Sequence, residues 1–256
     1  MPGAFSVTVE GATIHGETRG ENPALVLLHG LGGSRATWDR VVAALPPHLP
    51  LLRYDLRGFG ISSMDADIEF SHADDLLAVL DSQGISKATV VGLSLGGATA
   101  INFTIDHPER VERLIAVSPA LVGWQWSDEW RERWRSISRA ARAGDIDQAR
   151  RLWWDHPLFD TTRKSDGADE LRRSIDAYSG QVWVKDPQRR AMPDIDRLHL
   201  IETPTLLLTG ELDLPDFRLI ADLLEASVPD IQRNDYAGAG HMLPLGVAAQ
   251  VASAIS

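Results

Sequence analysis

The sequence predicts an α/β domain built on a mainly parallel sheet, with a helical segment inserted before the last strands. Short runs of Val, Leu and Ile alternate with helical patterns as far as Pro119, and the alternation resumes at Pro204. Continuous apolar strands separated by helices are typical of a parallel sheet that is covered on both faces. The length of 256 residues and the apolar fraction of 44% are those of a globular protein with a large core.

The predicted elements follow one another in chain order. Residues 5–17 alternate apolar and polar side chains around Gly11, which predicts a two-stranded hairpin. Apolar runs predict further strands at residues 24–28, 50–54, 88–93, 111–117, 204–208 and 230–236. Helical spacing predicts helices at residues 36–45, 72–83, 96–106, 215–226 and 243–255.

The inserted segment has a different composition. Residues 124–196 show no strand pattern, contain seven of the eight tryptophans, and hold 14 basic and 14 acidic residues. One predicted helix has Ser127 as its N-cap, Gly144 after its end, and an apolar face formed by Trp126, Trp130, Trp134, Ile137 and Ala141. We therefore expect a core domain at residues 1–120 and 197–256, and a helical cap at residues 121–196.

Charge and composition exclude several classes of function. The formal charge of −11 argues against a nucleic-acid partner, and the absence of cysteine excludes disulfides, thiol nucleophiles and Cys-zinc sites. The first residues do not resemble a signal peptide. Residues 88–105 and 237–256 lack charge, but their glycines and polar side chains make them unsuited to span a membrane. We expect a cytoplasmic protein without a membrane partner; the composition does not predict its oligomeric state.

A serine lies at a predicted strand-to-helix turn, in the run Gly92-Leu93-Ser94-Leu95-Gly96-Gly97. Such a turn is strained, and glycines on either side make it sterically possible. It exposes the hydroxyl above the sheet, where the N-terminus of the following helix favours negative charge. Ser94 is therefore the predicted nucleophile, and the alternative is a glycine-rich turn without chemistry.

A serine nucleophile needs a general base and an acid that orients it. His241 is the best-placed histidine, because residues 237–240 form a small-residue loop directly after a predicted strand. The other histidines weighed for this role are predicted surface or packing residues: His15, His48, His72, His107, His156 and His199. Asp213 follows the strand at residues 204–208 with the best spacing, and Glu211 and Asp216 are its competitors.

An oxyanion hole needs two backbone donors. One candidate is the N–H of Leu95, and the other is the N–H of Leu31 in the glycine-rich loop at residues 29–34. We expect His29 to fix this loop by hydrogen bonding and not to act as the base. The loop has neither a Gly-Lys-Ser/Thr ending nor a G-x-G-x-x-G pattern, so nucleotide binding is disfavoured.

Taken together, these segments resemble the α/β-hydrolase superfamily, in the branch that holds small esterases, enol-lactonases, haloperoxidase-like esterases and C–C bond hydrolases. The matching residues are 29–34, 55–62 (Asp-Leu-Arg-Gly-Phe-Gly-Ile-Ser), 92–97, 210–213 and 240–241. The resemblance implies an eight-stranded, mostly parallel sheet with helices on both faces and a helical cap. It also implies a triad of Ser94, Asp213 and His241 with oxyanion donors at Leu31 and Leu95. We expect Asp55 and Arg57 to be structural.

The predicted function is hydrolysis of a small to medium carboxylic ester or lactone through an acyl-enzyme on Ser94, without a metal or organic cofactor. One alternative is a C–C bond hydrolase of a β-diketone or vinylogous substrate with the same triad. Another is a non-catalytic receptor that retains the pocket.

The predicted substrate-binding residues lie in the cap. Trp124, Trp126, Trp130 and Trp154 could line an apolar pocket, although at least four of the seven cap tryptophans are expected to pack the helices together. The arginines Arg131, Arg135 and Arg139 could attract a carboxylate-bearing substrate, or form solvated ion pairs with the acids of the same segment.

Overall fold

A computed structural model describes residues 3–189 and 191–256. It contains a sheet of eight strands in the order β1-β2-β4-β3-β5-β6-β7-β8. The strands are β1 (Gly3–Val9), β2 (Ala12–Arg19), β3 (Leu25–Leu28), β4 (Leu51–Tyr54), β5 (Ala88–Leu93), β6 (Val111–Val117), β7 (Thr205–Gly210) and β8 (Ile231–Tyr236). The β1/β2 and β2/β4 pairs are antiparallel and the other pairs are parallel, so the predicted N-terminal hairpin and mostly parallel sheet are confirmed.

Helices cover both faces of this sheet. They are α1 (Asp39–Ala44), α2 (His72–Ser82), α3 (Leu95–Asp106), α4 (Asp128–Arg142), α5 (Ile146–Trp154), α6 (Ala168–Ala177), α7 (Gln181–Val184), α8 (Pro215–Ser227), α9 (Leu243–Gly246) and α10 (Ala248–Ile255). Side chains of a strand alternate between faces, so Val26 and Leu28 belong to the core beneath α2, α3 and α8. Leu25 and Leu27 belong to the core beneath α1 and α10.

The chain between β6 and β7 is helical. In its described residues it forms α4 to α7 and short 3₁₀ turns, and no strand. Ser127 caps α4 as predicted, because its hydroxyl accepts a hydrogen bond from the Trp130 N–H at 3.3 Å. The boundaries of the two predicted domains stay a prediction, and residues 1, 2 and 190 of those domains lie outside the described residues.

Two predicted helices differ from those in the structure. The helix predicted at residues 36–45 begins with a 3₁₀ turn at Arg35–Trp38, so α1 has only six residues. The helix predicted at residues 243–255 is broken into α9 and α10 at Val247, which has φ −137° and ψ 42°. Gly246 precedes the break, and glycine is a poor helix former because it loses the most backbone freedom.

The charge-poor stretches are parts of the α/β fold. Residues 88–105 form β5 and most of α3, and residues 237–256 include α9 and α10. Within residues 3–189 and 191–256, no helix has the length and apolar character needed to cross a bilayer.

Asp55 and Arg57 tie the loop after β4 to its surroundings, as predicted. The Arg57 guanidinium donates two hydrogen bonds to the Asp75 carboxylate, at 2.9 and 2.6 Å, and both residues are buried. The Asp55 carboxylate accepts from the backbone N–H groups of Arg35 (2.7 Å) and Ile61 (3.1 Å). A buried carboxylate with several donors stabilises one loop conformation and needs no role in chemistry.

His72 at the start of α2 makes the stability of the fold depend on acid. The ring is buried beside Phe59 and Phe70, and neither ring nitrogen has a hydrogen-bond partner among the described residues. Burial, helped by the positive charge of Arg57, lowers the pKa of His72 to about 3. The folded protein therefore holds this imidazole neutral well below the ordinary histidine pKa.

We expect His72→Leu to reduce the loss of stability in acid. Between the unfolded pKa of about 6.5 and the folded pKa of about 3, only the unfolded chain binds this proton, so wild-type stability is full above pH 6.5 and falls as the pH falls. This one histidine lowers the free energy of unfolding by up to about 1.4 kcal/mol for each unit of pH in that range. Urea denaturation from pH 8 to pH 4 measures it. At pH 8, the difference in the free energy of unfolding between the variant and the wild type reports packing alone. If the variant lost stability with falling pH as steeply as the wild type, the prediction would be contradicted.

Candidate active site

Ser94 occupies the turn between β5 and α3 in a strained backbone conformation. Its φ of 53° and ψ of −112° lie in a region that residues with a side chain rarely adopt. The neighbouring elements hold it there: its N–H donates to the Val117 carbonyl at 3.0 Å, and its carbonyl accepts from Ala98 and Ala120 at 2.9 and 3.0 Å. The turn is therefore fixed by β6, by α3 and by the loop that follows β6.

Three glycines around Ser94 are required by close backbone contacts. A Cβ atom on Gly92 would lie 2.0 Å from the Gly96 carbonyl oxygen, and one on Gly96 would lie 2.5 Å from the carbonyl oxygen of Leu28. A Cβ atom on Gly97 would lie 2.7 Å from the Pro119 side chain. The predicted steric reason for these glycines is confirmed.

His241 and Asp213 form a buried hydrogen-bonded pair. The Nδ1 atom of His241 lies 2.8 Å from Oδ2 of Asp213, and each side chain is only 1% exposed. Oδ1 of Asp213 accepts from the Leu214 N–H at 2.7 Å. An ionised carboxylate can only accept, so Nδ1 carries the proton and Nε2 of a neutral ring is an acceptor. This buried Nε2 has no hydrogen-bond partner in the described part of the chain.

The two competing acids have other partners. The Asp216 carboxylate accepts from the Trp124 indole at 3.1 Å, and from the N–H (3.1 Å) and hydroxyl (2.6 Å) of Ser127. The Glu211 carboxylate accepts from the Gly238 N–H at 3.0 Å. Asp213 is the one of the three candidate acids that contacts the imidazole of His241.

Ser94 and His241 line the same cavity, which has a volume of about 380 Å³. Leu31 and Leu95 line it too, so the structure brings both predicted oxyanion residues beside the serine. No hydrogen bond from the backbone N–H of Leu31 or Leu95 occurs within the described residues. Neither N–H is therefore engaged by another group of the described chain.

His29 stabilises the glycine-rich loop, as predicted. Its Nε2 accepts from the Leu56 N–H at 2.9 Å, so Nδ1 carries the proton and donates to the Gly30 carbonyl at 2.8 Å. Complete burial lowers the pKa of His29, which keeps the ring neutral. With both nitrogens engaged, His29 holds the loop that presents Leu31.

Four tryptophans of the inserted segment line the cavity: Trp126, Trp130, Trp134 and Trp153. Trp153 is also buried among the helices of the inserted segment. Trp126 and Trp130 stack with ring centroids 4.5 Å apart. Phe217 from α8, which the sequence analysis missed, packs between this stack and His241, with its centroid 4.3 Å from the imidazole.

Two of the four tryptophans predicted to bind substrate do not line the cavity. The Trp124 indole N–H donates to Asp216, and the Trp154 ring lies under the guanidinium of Arg172. Trp134 lines the cavity in their place. Its position could have been inferred from the sequence, because it lies one helical turn from Trp130 on the same face of α4.

Two of the three candidate arginines, Arg131 and Arg135, are ion-paired and also line the cavity. Arg131 lies 2.5 Å from Asp128, and Arg135 lies 3.4 Å from Glu132, at helical spacing. Both arginines line the cavity, whereas the third candidate, Arg139, does not. The ion-pair alternative is confirmed for Arg131 and Arg135, and the attraction of a carboxylate-bearing substrate stays a prediction.

Residues 23–246 match the family model described as the alpha/beta hydrolase fold, so the chain belongs to the alpha/beta hydrolase family. Over 126 residues it is 35% identical to the proposed carbamate hydrolase RutD of Caulobacter vibrioides, a match that covers 47% of this chain and 45% of that protein. The chain thus matches only about half the length of the first curated relatives.

Two further matches extend over nearly the whole chain. A pimeloyl-[acyl-carrier protein] methyl ester esterase of Nitrosomonas europaea is 28% identical over 249 residues, 90% of this chain and 93% of that protein. The crystal structure of carboxylesterase CesB from Bacillus subtilis superposes with a TM-score of 0.78 at 26% identity, covering 100% of this chain and 91% of that one. The chain is therefore a hydrolase-family protein with esterase relatives.

We expect Gly96→Ala to destabilise the fold. Its Cβ would press on the backbone carbonyls of Leu28 and His29, which cannot move without disturbing the sheet, so the free energy of unfolding should fall by about 2–3 kcal/mol. Gly246→Ala is the matched control, because a Cβ there meets nothing within 4 Å, and it should change stability by less than about 0.5 kcal/mol. Urea denaturation measures both, and equal effects would contradict the steric argument.

Proposed function

We propose that this protein is a serine hydrolase that cleaves a small to medium carboxylic ester or lactone through an acyl-enzyme on Ser94. The observation that carries the proposal is the buried Asp213–His241 pair, whose unpartnered Nε2 belongs to a ring that lines the same cavity as the strained Ser94. The esterase relatives support the same class of reaction.

Each group has a chemical role in this mechanism. Nε2 of His241 removes the hydroxyl proton of Ser94 as its oxygen attacks the acyl carbonyl carbon. Asp213 holds Nδ1–H and stabilises the imidazolium that forms. The proton on Nε2 then passes to the leaving alcohol oxygen, which departs as the acyl–oxygen bond breaks. Water, deprotonated by the same Nε2, releases the acid and regenerates the serine.

The N–H groups of Leu31 and Leu95 would stabilise the tetrahedral intermediate. Charge on the carbonyl oxygen develops in the transition state, so donors that are already positioned lower the barrier without reorganisation. Leu95 is the first residue of α3, where the helix dipole adds to the effect. The aromatic side chains of residues 121–196, which we propose to be a cap domain, would exclude bulk water from this step.

A non-catalytic receptor is less consistent with the site. The positive φ of Ser94 and the buried, unpartnered Nε2 of His241 both cost stability. Binding an apolar molecule requires neither of them. A C–C bond hydrolase would use the same groups, and a panel of aryl esters, lactones and β-dicarbonyl compounds distinguishes the substrates.

We expect Ser94→Ala to abolish hydrolysis of 4-nitrophenyl esters without loss of the fold, because the variant lacks the attacking oxygen. Colorimetric assay measures turnover, and circular dichroism checks the fold. A fluorophosphonate probe should label the wild-type protein once, at Ser94, and leave the variant unlabelled. Hydrolysis by the variant at the wild-type rate would refute the assignment.

We expect Asp213→Asn to lower kcat by on the order of 10³–10⁴-fold, because the amide can donate to Nδ1 and so favours the wrong imidazole tautomer. Glu211→Gln, on the same loop, is the matched control and should keep kcat within about twofold, since its carbonyl oxygen can still accept from Gly238. Steady-state kinetics with one ester compares them. Equal losses of kcat in the two variants would show that activity depends on the conformation of this loop and not on the carboxylate of Asp213.

A further inference from the structure

We propose that the substrate carries a carboxylate in addition to its scissile ester, and that Arg131 and Arg135 bind this carboxylate at the wall of the cavity. The proposal rests on the proposed function, since it names the substrate class of the same site. It assigns these two arginines to specificity and not to bond cleavage.

The charge of the cavity supports an anionic ligand. The described residues that line the cavity include two arginines, Arg131 and Arg135, and neither Asp nor Glu. This is unusual for a chain with 36 acidic and 25 basic residues. A carboxylate would meet no like charge inside the cavity, whereas an ammonium group would meet two guanidinium groups.

The arrangement on α4 suits an amphipathic acid. Residues four apart on a helix lie one above the other, so Trp130 and Trp134 form one row and Arg131 and Arg135 form the adjacent row. Both rows face the cavity. An acyl chain packed along the indole rings would bring a carboxylate at its far end to the guanidinium groups.

The existing ion pairs leave both arginines able to bind. Both pairs are exposed: the side chains of Arg131 and Asp128 are 53% and 96% exposed, and those of Arg135 and Glu132 are 64% and 63% exposed. Exposed ion pairs at helical spacing contribute little to stability. A guanidinium has five N–H donors, so each arginine can keep its helical partner and still donate to a substrate carboxylate.

Neighbouring arginines on α4 provide an internal comparison. Arg133 pairs with Glu129 and lines a separate, smaller cavity on the other side of Trp130. Arg139 is exposed and lines neither cavity. Arg139 is therefore a matched control of the same residue type on the same helix.

The test compares two esters that differ only at the far end of the acyl chain: 4-nitrophenyl hexanoate and the mono-4-nitrophenyl ester of adipic acid. We expect the wild-type protein to prefer the adipate ester in kcat/KM. The double variant Arg131→Gln/Arg135→Gln should lose that preference by about ten- to a hundredfold, while its activity on hexanoate stays within about threefold. Arg139→Gln should behave as wild type on both esters.

A wild-type protein that hydrolyses both esters equally, or a double variant that keeps the preference, overturns the proposal and leaves the hydrolase assignment intact. Calorimetry on Ser94→Ala separates the two claims, because it requires no turnover. The intact mono-4-nitrophenyl ester of adipic acid should bind this variant more tightly than 4-nitrophenyl hexanoate, and adding Arg131→Gln/Arg135→Gln to the variant should remove the difference. Tighter binding of the adipate ester with no ester hydrolysis by wild type would refute the hydrolase function alone, and equal binding of the two esters would refute the carboxylate site.

Discussion

The site depends on one steric constraint, the contact of α3 with β5 and with the end of β3. Three residues without side chains let these backbones approach, and a Cβ at Gly92 or Gly96 would fall within 2.5 Å of a carbonyl oxygen. Because the helix begins so close to the strand, Ser94 is held at a positive φ, and Leu95 begins the helix at the edge of the cavity. The proposed nucleophile and one proposed oxyanion donor thus depend on the same packing.

The helix α8 connects the inserted segment to the imidazole. Asp216 in its first turn binds Trp124 and Ser127, which lie just before α4. One residue later, Phe217 contacts both the tryptophan stack and His241. The loop before α8 carries Asp213. Asp213, His241 and the cavity wall therefore share a common support, and a shift of α4 would disturb the surroundings of His241.

Most of the fold and the positions of Ser94, Asp213 and His241 at the ends of strands could be predicted, because each follows from the local pattern of the chain. Strand ends can be read from apolar runs, and Ser94, Asp213 and His241 each lie at or soon after one. The break at Val247 was missed because the helical pattern continues through it.

The cavity wall could be predicted only in part. Which tryptophans face the cavity depends on how α4 is oriented, and that is set by contacts such as Trp124 with Asp216, which are 92 residues apart. Phe217 carries no local signal at all, since a phenylalanine on the buried face of α8 is equally expected in the core. Its role follows from the position of α8 beside the loop of His241.

The concentration of indole rings around the cavity has a practical consequence. Trp126, Trp130, Trp134 and Trp153 line the cavity, while Trp38 and Trp183 are fully buried and do not line it. Indole emission responds to local polarity and to nearby quenching groups. The protein therefore contains its own optical reporter of occupancy, and candidate ligands can be screened by intrinsic fluorescence without a label or a chromogenic leaving group.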